Sequence, residues 1–160
     1  MTAAVAGEIH RLLARSDATV AVAESLTGGL LGAALTQTPG ASATFRGGLV
    51  VYATGLKETL AGVPGPLLSA QGPVSAEVAA AMADGARDRA GATYGLAVTG
   101  VAGPDPQDGH PPGMVFVAVA GPGVGDVQAL TLGGDRDAVR GRAVEAALAM
   151  LRDVLVGNRR

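Results

Sequence analysis

Cysteine is absent from this chain of 160 residues, and so is tryptophan. Without cysteine there are no disulfides, no thiolate nucleophile and no cysteine-based metal site. Aromatic side chains are scarce, two Phe and two Tyr, so a core has to be assembled from Ala, Val and Leu packed closely among 25 glycines. No run of ~18 apolar residues occurs. Nor does the amino terminus carry a basic region followed by a hydrophobic stretch. The chain is therefore expected to be soluble and cytoplasmic, with no membrane partner. A strong excess of one charge is missing too. The formal net charge is −2 and the basic residues are scattered, which argues against a nucleic-acid partner. The two histidines are far apart and lack supporting carboxylates, so no zinc site is expected. His10 reads as part of the polar face of a first helix, and His110, in D-P-Q-D-G-H-P-P-G, as a loop residue. Neither G-x-x-x-x-G-K-[ST] nor G-x-G-x-x-G is present, and no cofactor is expected.

Lysine is the next scarcity. It occurs once, at Lys57, against eleven arginines. Lysine differs from arginine in having a pKa that burial can bring toward neutrality, where it serves as a base. A scarce lysine left on the surface by an Arg-rich composition is the plainer reading, and at this point both stand.

At this length one domain over residues 1–160 is expected, with room for a core. Val5, Ile9, Leu12 and Leu13 are at helical spacing after Thr2. Thr19 to Ala23 reads as a buried strand. A second helix carries Leu30, Leu31, Ala34 and Leu35 and ends near Thr38-Pro39-Gly40. Gly48 to Tyr52 reads as a strand, and Thr54 to Ala61 as a short helix stopped by Gly62-Val63-Pro64. Ser75 is placed to cap a long helix through Val78, Met82 and Ala86. Tyr94 to Thr99 is a strand, and a Gly/Pro-rich loop spans Gly100 to Gly113. Met114 to Ala120 and Val127 to Leu132 make a hairpin. Asp135 caps a last helix carrying Val139, Ala143, Ala147, Met150, Leu151, Val154 and Leu155. Alternating strands and helices with one hairpin predict an α/β fold, a three-layer α/β/α sandwich. Its sheet is mixed, mostly parallel, with one antiparallel hairpin.

In such sheets the ligand crevice lies beyond the carboxyl ends of the parallel strands. Three segments qualify: Ala23 to Gly29 (A-E-S-L-T-G-G), Tyr52 to Lys57 (Y-A-T-G-L-K) and Val98 to Pro104 (V-T-G-V-A-G-P). Ser25 at the first strand-to-helix turn reads either as an N-cap or as a nucleophile beside oxyanion-binding amides. Gly28 and Gly29 suit close backbone approach to a ligand. Neither G-x-S-x-G nor S-x-x-K is present. Tyr52 reads as a core aromatic with its hydroxyl at the rim or as a site residue, and Thr99 as a backbone-bonding hydroxyl or a site residue. Glu24 is open between ion-pair partner, base and a carboxylate reaching solvent. Arg136 and Arg140 are four apart and share a helix face suited to a phosphate, or are surface arginines paired with Asp135 and Asp137.

Taken together, A-E-S-L-T-G-G, F-R-G-G-L-V-V-Y-A-T-G-L-K-E-T-L-A-G-V and L-A-V-T-G-V-A-G-P-D resemble, in that order, the C-terminal domain of the CinA (competence/damage-inducible) proteins. G-D-R-D-A-V-R is similar to a fourth block, so the likeness spans essentially the whole chain. Two segments differ from the family's usual form: Leu26 stands where many relatives have cysteine, and the loop after Gly103 is richer in Asp and Pro. Free-standing members hydrolyse the carboxamide of nicotinamide mononucleotide, without a metal, to nicotinate mononucleotide and ammonia. The resemblance implies Ser25 as nucleophile and Lys57 as its base. Tyr52, Thr99 and Ser42 are implied as further polar members. Arg140, with Arg136 as second choice, is implied to serve the substrate. On this reading the pKa of Lys57 is lowered by burial and a nearby arginine. Amides around Thr27 to Gly29 or Thr99-Gly100 hold the oxyanion. Short hydrophobic strands and Ala-rich helices leave room for self-association, and a homo-oligomer is expected. Two rivals remain: a serine amidase for another small carboxamide, and a catalytically silent nucleotide-binding or regulatory module.

Overall fold

The computed structural model describes residues 2–157; residues 1 and 158–160 of the expected domain lie outside the described residues. The chain opens with helix α1 (Thr2–Arg15), strand β1 (Val20–Glu24) and helix α2 (Leu30–Thr36). A 3-10 turn at Ala41–Ala43 leads into β2 (Phe45–Val50). Three helices follow, α3 (Thr54–Thr59), α4 (Gly65–Gln71) and α5 (Ala76–Ala90). Then come β3 (Tyr94–Gly100), β4 (Met114–Gly121), β5 (Val124–Thr131) and the long α6 (Arg136–Gly157).

The strands form one five-stranded sheet in the order β2-β1-β3-β4-β5. β1 pairs in parallel with both β2 and β3, while the β3–β4 and β4–β5 pairs are antiparallel. β5 thus runs the same way as the first three strands, and β4 alone is reversed. Helices α1, α2 and α6 cover one face, and α5 with the segments around α3 and α4 covers the other. This is the expected three-layer α/β/α sandwich.

Residue size alternates along the strands and decides how near each layer lies. β1 reads Val20-Ala21-Val22-Ala23, and β3 reads Tyr94-Gly95-Leu96-Ala97-Val98. Successive side chains point to opposite faces. The large ones therefore pack against α1, α2 and α6, and the small ones against α5. With so little side chain between them, α5 and the sheet come almost to backbone contact. A Cβ placed on Gly95 would lie 1.9 Å from the carbonyl oxygen of Ala83. On its other contact, with the segment after α3, α5 comes as near: a Cβ on Gly85 would lie 1.6 Å from the carbonyl oxygen of Ala61.

The predicted caps are present: Ser75 Oγ accepts from the Val78 amide at 3.1 Å, and Asp135 Oδ1 from the Ala138 amide at 2.9 Å. Several boundaries differ from expectation. β2 covers Phe45–Val50 instead of Gly48 to Tyr52, so Tyr52 lies beyond the strand. The expected stop at Gly62-Val63-Pro64 is followed directly by a helix that no expectation covered, α4, with Pro66 in its first turn, where no intrahelical amide is needed. β5 starts at Val124, which reduces the hairpin loop to Pro122-Gly123. His10 is not on a polar face. It is buried, with Nδ1 2.5 Å from Thr44 Oγ1 and Nε2 2.6 Å from the Leu35 carbonyl. The end of α2 and the segment leading to β2 cover that side of α1, and both ring nitrogens find partners there. Among the described residues no helix is long and apolar enough to cross a membrane.

Candidate active site

The carboxyl ends of β1, β2 and β3 open on a cleft of about 360 Å³. Ser25, Tyr52, Lys57, Thr99, Gly100 and Arg136 all line it. Ser25 immediately follows β1, and Lys57 comes from α3 beyond the end of β2. Helix α3 turns the usual pattern inside out. Its lysine is 1 % exposed, whereas Leu56 and the following Leu60 are 39 % and 42 % exposed. Lysine is almost never fully buried without partners.

The partners of Lys57 are specific. Its Nζ lies 2.7 Å from the Val51 carbonyl, 3.4 Å from the Tyr52 carbonyl and 3.1 Å from Ser25 Oγ. Burial lowers its pKa from the ordinary 10.5 to about 8, opposed in part by the negative charge of Asp108. The lowering therefore comes from loss of water, as expected, but the second influence is a carboxylate instead of the anticipated arginine. The geometry accommodates both protonation states of the amine. Protonated, Nζ donates to the two carbonyls and to Ser25 Oγ; once deprotonated it can keep the carbonyl bonds and turn its lone pair to the Ser25 hydroxyl, the one of the three neighbours able to donate.

Behind Ser25, the Glu24 carboxylate is buried and takes four hydrogen bonds. Oε1 accepts from the Thr27 hydroxyl at 2.6 Å and from the Gly29 and Leu31 amides at 3.0 Å each, and Oε2 accepts from the Gly32 amide at 2.8 Å. Glu24 is thus the anion at the start of α2, neither a base in the cleft nor a carboxylate reaching solvent. The turn it organises takes Gly28 and Gly29 to φ of 57° and 110°, the left-handed region where glycine is favoured. The Gly28 amide is given to the Ser25 carbonyl and the Gly29 amide to Glu24. They are therefore engaged within the turn, contrary to the expectation that they hold an oxyanion. Among the described residues the Leu26 amide has no acceptor, and Leu26 lines the cleft.

The two arginines separate. Arg136 lines the cleft, donating through Nη1 to the Gly103 carbonyl at 2.7 Å and through Nη2 to the Tyr52 hydroxyl at 3.2 Å. Arg140 points to the backbone of the serine turn. Its Nε donates to the Leu26 carbonyl at 3.0 Å and its Nη2 to the Thr27 carbonyl at 3.5 Å, with Asp137 Oδ1 4.0 Å from Nη1.

The family model for the CinA C-terminal domain matches residues 2–155. This chain belongs to the CinA C-terminal domain family. A CinA-like protein of Frankia casuarinae is 52 % identical over 151 residues, which are 94 % of this chain and 35 % of the relative. A CinA-like protein of Myxococcus xanthus is 46 % identical over 157 residues, covering 96 % of this chain and 37 % of the relative. The chain thus spans about a third of the length of these curated relatives. Among solved structures, a CinA superfamily protein from Klebsiella pneumoniae superposes with a TM-score of 0.94 at 31 % identity, covering 98 % of this chain and 99 % of that one. A competence/damage-inducible protein from Agrobacterium tumefaciens gives 0.89 at 35 % identity, covering 96 % and 94 %.

Within this CinA-family fold not every expected residue reaches the cleft. Ser42 is exposed on the 3-10 turn ahead of β2, at the amino-terminal end of the parallel strands, where the Thr44 carbonyl accepts from the Val20 amide. The length of β2 separates it from the cleft, about 20 Å at the usual rise per residue. Thr27 is fully buried and its hydroxyl belongs to Glu24. Thr99 does reach the cleft and donates its hydroxyl to the Pro73 carbonyl at 2.8 Å, leaving its lone pairs available. Tyr52 is 60 % exposed, so it is a rim residue and not a core aromatic. Pro73, Val74 and the run Val101 to Gln107, including Asp105, complete the wall. The approach of Pro73 to the strand ends had no local signal, because it depends on how α5 packs across the sheet.

Proposed function

We propose that this CinA-family domain is a nicotinamide mononucleotide deamidase working through a serine and a neutral lysine. One observation carries the reading: a buried amine of lowered pKa lies 3.1 Å from a hydroxyl at the wall of the strand-end cleft. Lys57 Nζ takes the Ser25 proton as Oγ bonds to the carboxamide carbon. The carbonyl oxygen becomes an oxyanion, held by the Leu26 amide, an arrangement worth on the order of 3 kcal/mol per donor in other enzymes. The protonated Lys57 gives its proton to the amide nitrogen as the C–N bond breaks, directly or with the Tyr52 hydroxyl passing one proton on as it takes another, so that ammonia departs and Lys57 is again neutral. Water then attacks the acyl ester, losing its proton to Lys57 and restoring Ser25.

Arg136 is assigned to the 5′-phosphate. It lines the cleft and commits only part of its five-donor guanidinium to Gly103 and Tyr52. Its pairing with a phosphate supplies binding energy away from the reacting carbon.

Ammonia release from nicotinamide mononucleotide, nicotinamide riboside and free nicotinamide tests the reading. Release from the mononucleotide is expected to be fastest, to vanish in Ser25→Ala with nucleotide binding retained, and to be nearly lost in Lys57→Arg. Turnover by Ser25→Ala would remove the serine from its role. Activity confined to another carboxamide would favour the broader serine amidase. The greater length of the relatives favours one further reading, a silent nucleotide-binding module, which predicts tight binding and no ammonia from any of the three.

A further inference from the structure

We infer that Glu24 and Arg140 together form a backbone clamp that positions the Ser25 hydroxyl and presents the Leu26 amide, and that Arg140 is a positioning residue instead of a substrate contact. The inference rests on the deamidase reading for its kinetic consequence, though not for its geometry.

The segment Ser25 to Gly29 is gripped from two sides by opposite chemistry. On one side a buried carboxylate gathers donors: the Thr27 hydroxyl and the Gly29, Leu31 and Gly32 amides. On the other a guanidinium supplies donors to the carbonyls of Leu26 and Thr27. The Gly28 amide closes the turn on the Ser25 carbonyl, and the Leu30 amide goes to the Thr27 carbonyl. Within this segment, among the described residues, the amide of Leu26, a cleft-lining residue directly after the serine, stays uncommitted. Holding the Leu26 carbonyl from behind fixes the plane of the following peptide. Holding Glu24 fixes the peptide before Ser25, so the amide between them is aimed by both. Oxyanion stabilisation depends on donors that need no reorganisation when charge develops. A clamp of charge-assisted hydrogen bonds, stronger than neutral ones, supplies that rigidity.

Arg140 and Arg136 therefore make opposite kinetic predictions. Arg140→Ala is expected to lower kcat for nicotinamide mononucleotide by roughly 100-fold with KM within about three-fold, the mark of an interaction realised in the transition state. Arg136→Ala is expected to act mainly on KM. Arg140→Lys keeps a donor for one of the two carbonyls and should recover part of the lost kcat. Glu24→Gln keeps one acceptor oxygen and should lose kcat by about tenfold, again with KM nearly constant.

Amide hydrogen exchange on the same proteins gives a readout independent of any substrate. Exchange at Gly29, Leu31 and Gly32 should accelerate by about tenfold or more in Glu24→Gln and in Arg140→Lys, with the rest of the sheet unchanged. Loss in Arg140→Ala or Arg140→Lys that falls chiefly on KM would overturn the clamp and make Arg140 a substrate contact. Unchanged exchange in both conservative variants would overturn it as well. A parent protein that releases no ammonia from the mononucleotide defeats the deamidase reading alone, and the exchange rates still decide the clamp.

Discussion

A lysine held away from water beside a serine hydroxyl ties stability to pH and, on the proposed function, catalysis as well, each with a definite sign. On the deamidase reading only the neutral amine accepts the serine proton. Raising the pH through the lysine pKa of about 8 should therefore increase kcat/KM to a plateau. A kcat/KM profile flat from pH 6.5 to 9 would show that this amine does not act as the base. For stability, the proton is bound less tightly in the folded chain, at about 8, than in the unfolded chain, at 10.5. Between those values the unfolded chain holds more protons, so stability rises as the pH increases. Below about 8 both states are protonated, and the fold bears the full cost, on the order of 3 kcal/mol. Lys57→Met removes that cost. In urea melts its stability relative to the parent should be greatest near pH 7 and decline by several tenths to about 2 kcal/mol toward pH 10. A pH-independent difference would contradict the assigned pKa. The scarcity of lysine pointed to residue 57, and the strand-end segments pointed to Ser25. The order of the two arginines was not legible, since residues four apart on one helix look equivalent until neighbouring backbone takes one of them.

At the scale of elements, the close approach of α5 to the segment after α3 is the feature most open to a stability test. Gly85 would ordinarily gain by mutation to alanine, because glycine is about 1 kcal/mol poorer inside a helix. Here the new Cβ would meet a backbone carbonyl that no rotamer change can move aside. Gly85→Ala is therefore expected to destabilise by about 2 kcal/mol, with the midpoint of urea unfolding lowered. An unchanged or raised midpoint would mean that the Ala61 segment yields at no cost. Helices and strands with strong periodicity, such as α1, α6 and β3, were legible from residue order, as were the Ser75 and Asp135 caps. Helix α4 was not, because proline is a breaker inside a helix and a good starter at its first turn, and the two cases share the same letters. The burial of His10 was missed for a related reason. A polar residue among apolar neighbours reads as a solvent face until another element covers it.

For the whole molecule, the two cores share one sheet, and every group in the proposed chemistry comes from the end of that sheet or from the helices beside it. The chain is expected to self-associate, since Leu30, Val50, Leu56 and Leu60 remain exposed around the edge strand β2 and its neighbours. Light scattering should give a mass of at least twice 15.6 kDa. A single 15.6 kDa species at micromolar concentration would show a monomer. Hydrophobic period, caps, turn residues and the three strand-end segments act among neighbours in the chain, so the α/β class, the edge of the sheet that carries the cleft and the family likeness could all be read without coordinates. Folding had to settle the dryness of Lys57, the commitment of Glu24 to an amide cluster, the different partners of Arg136 and Arg140, and the remoteness of Ser42. Each of these depends on groups brought together from segments distant in the chain, and desolvation and hydrogen-bond pairing come into being only when those segments meet.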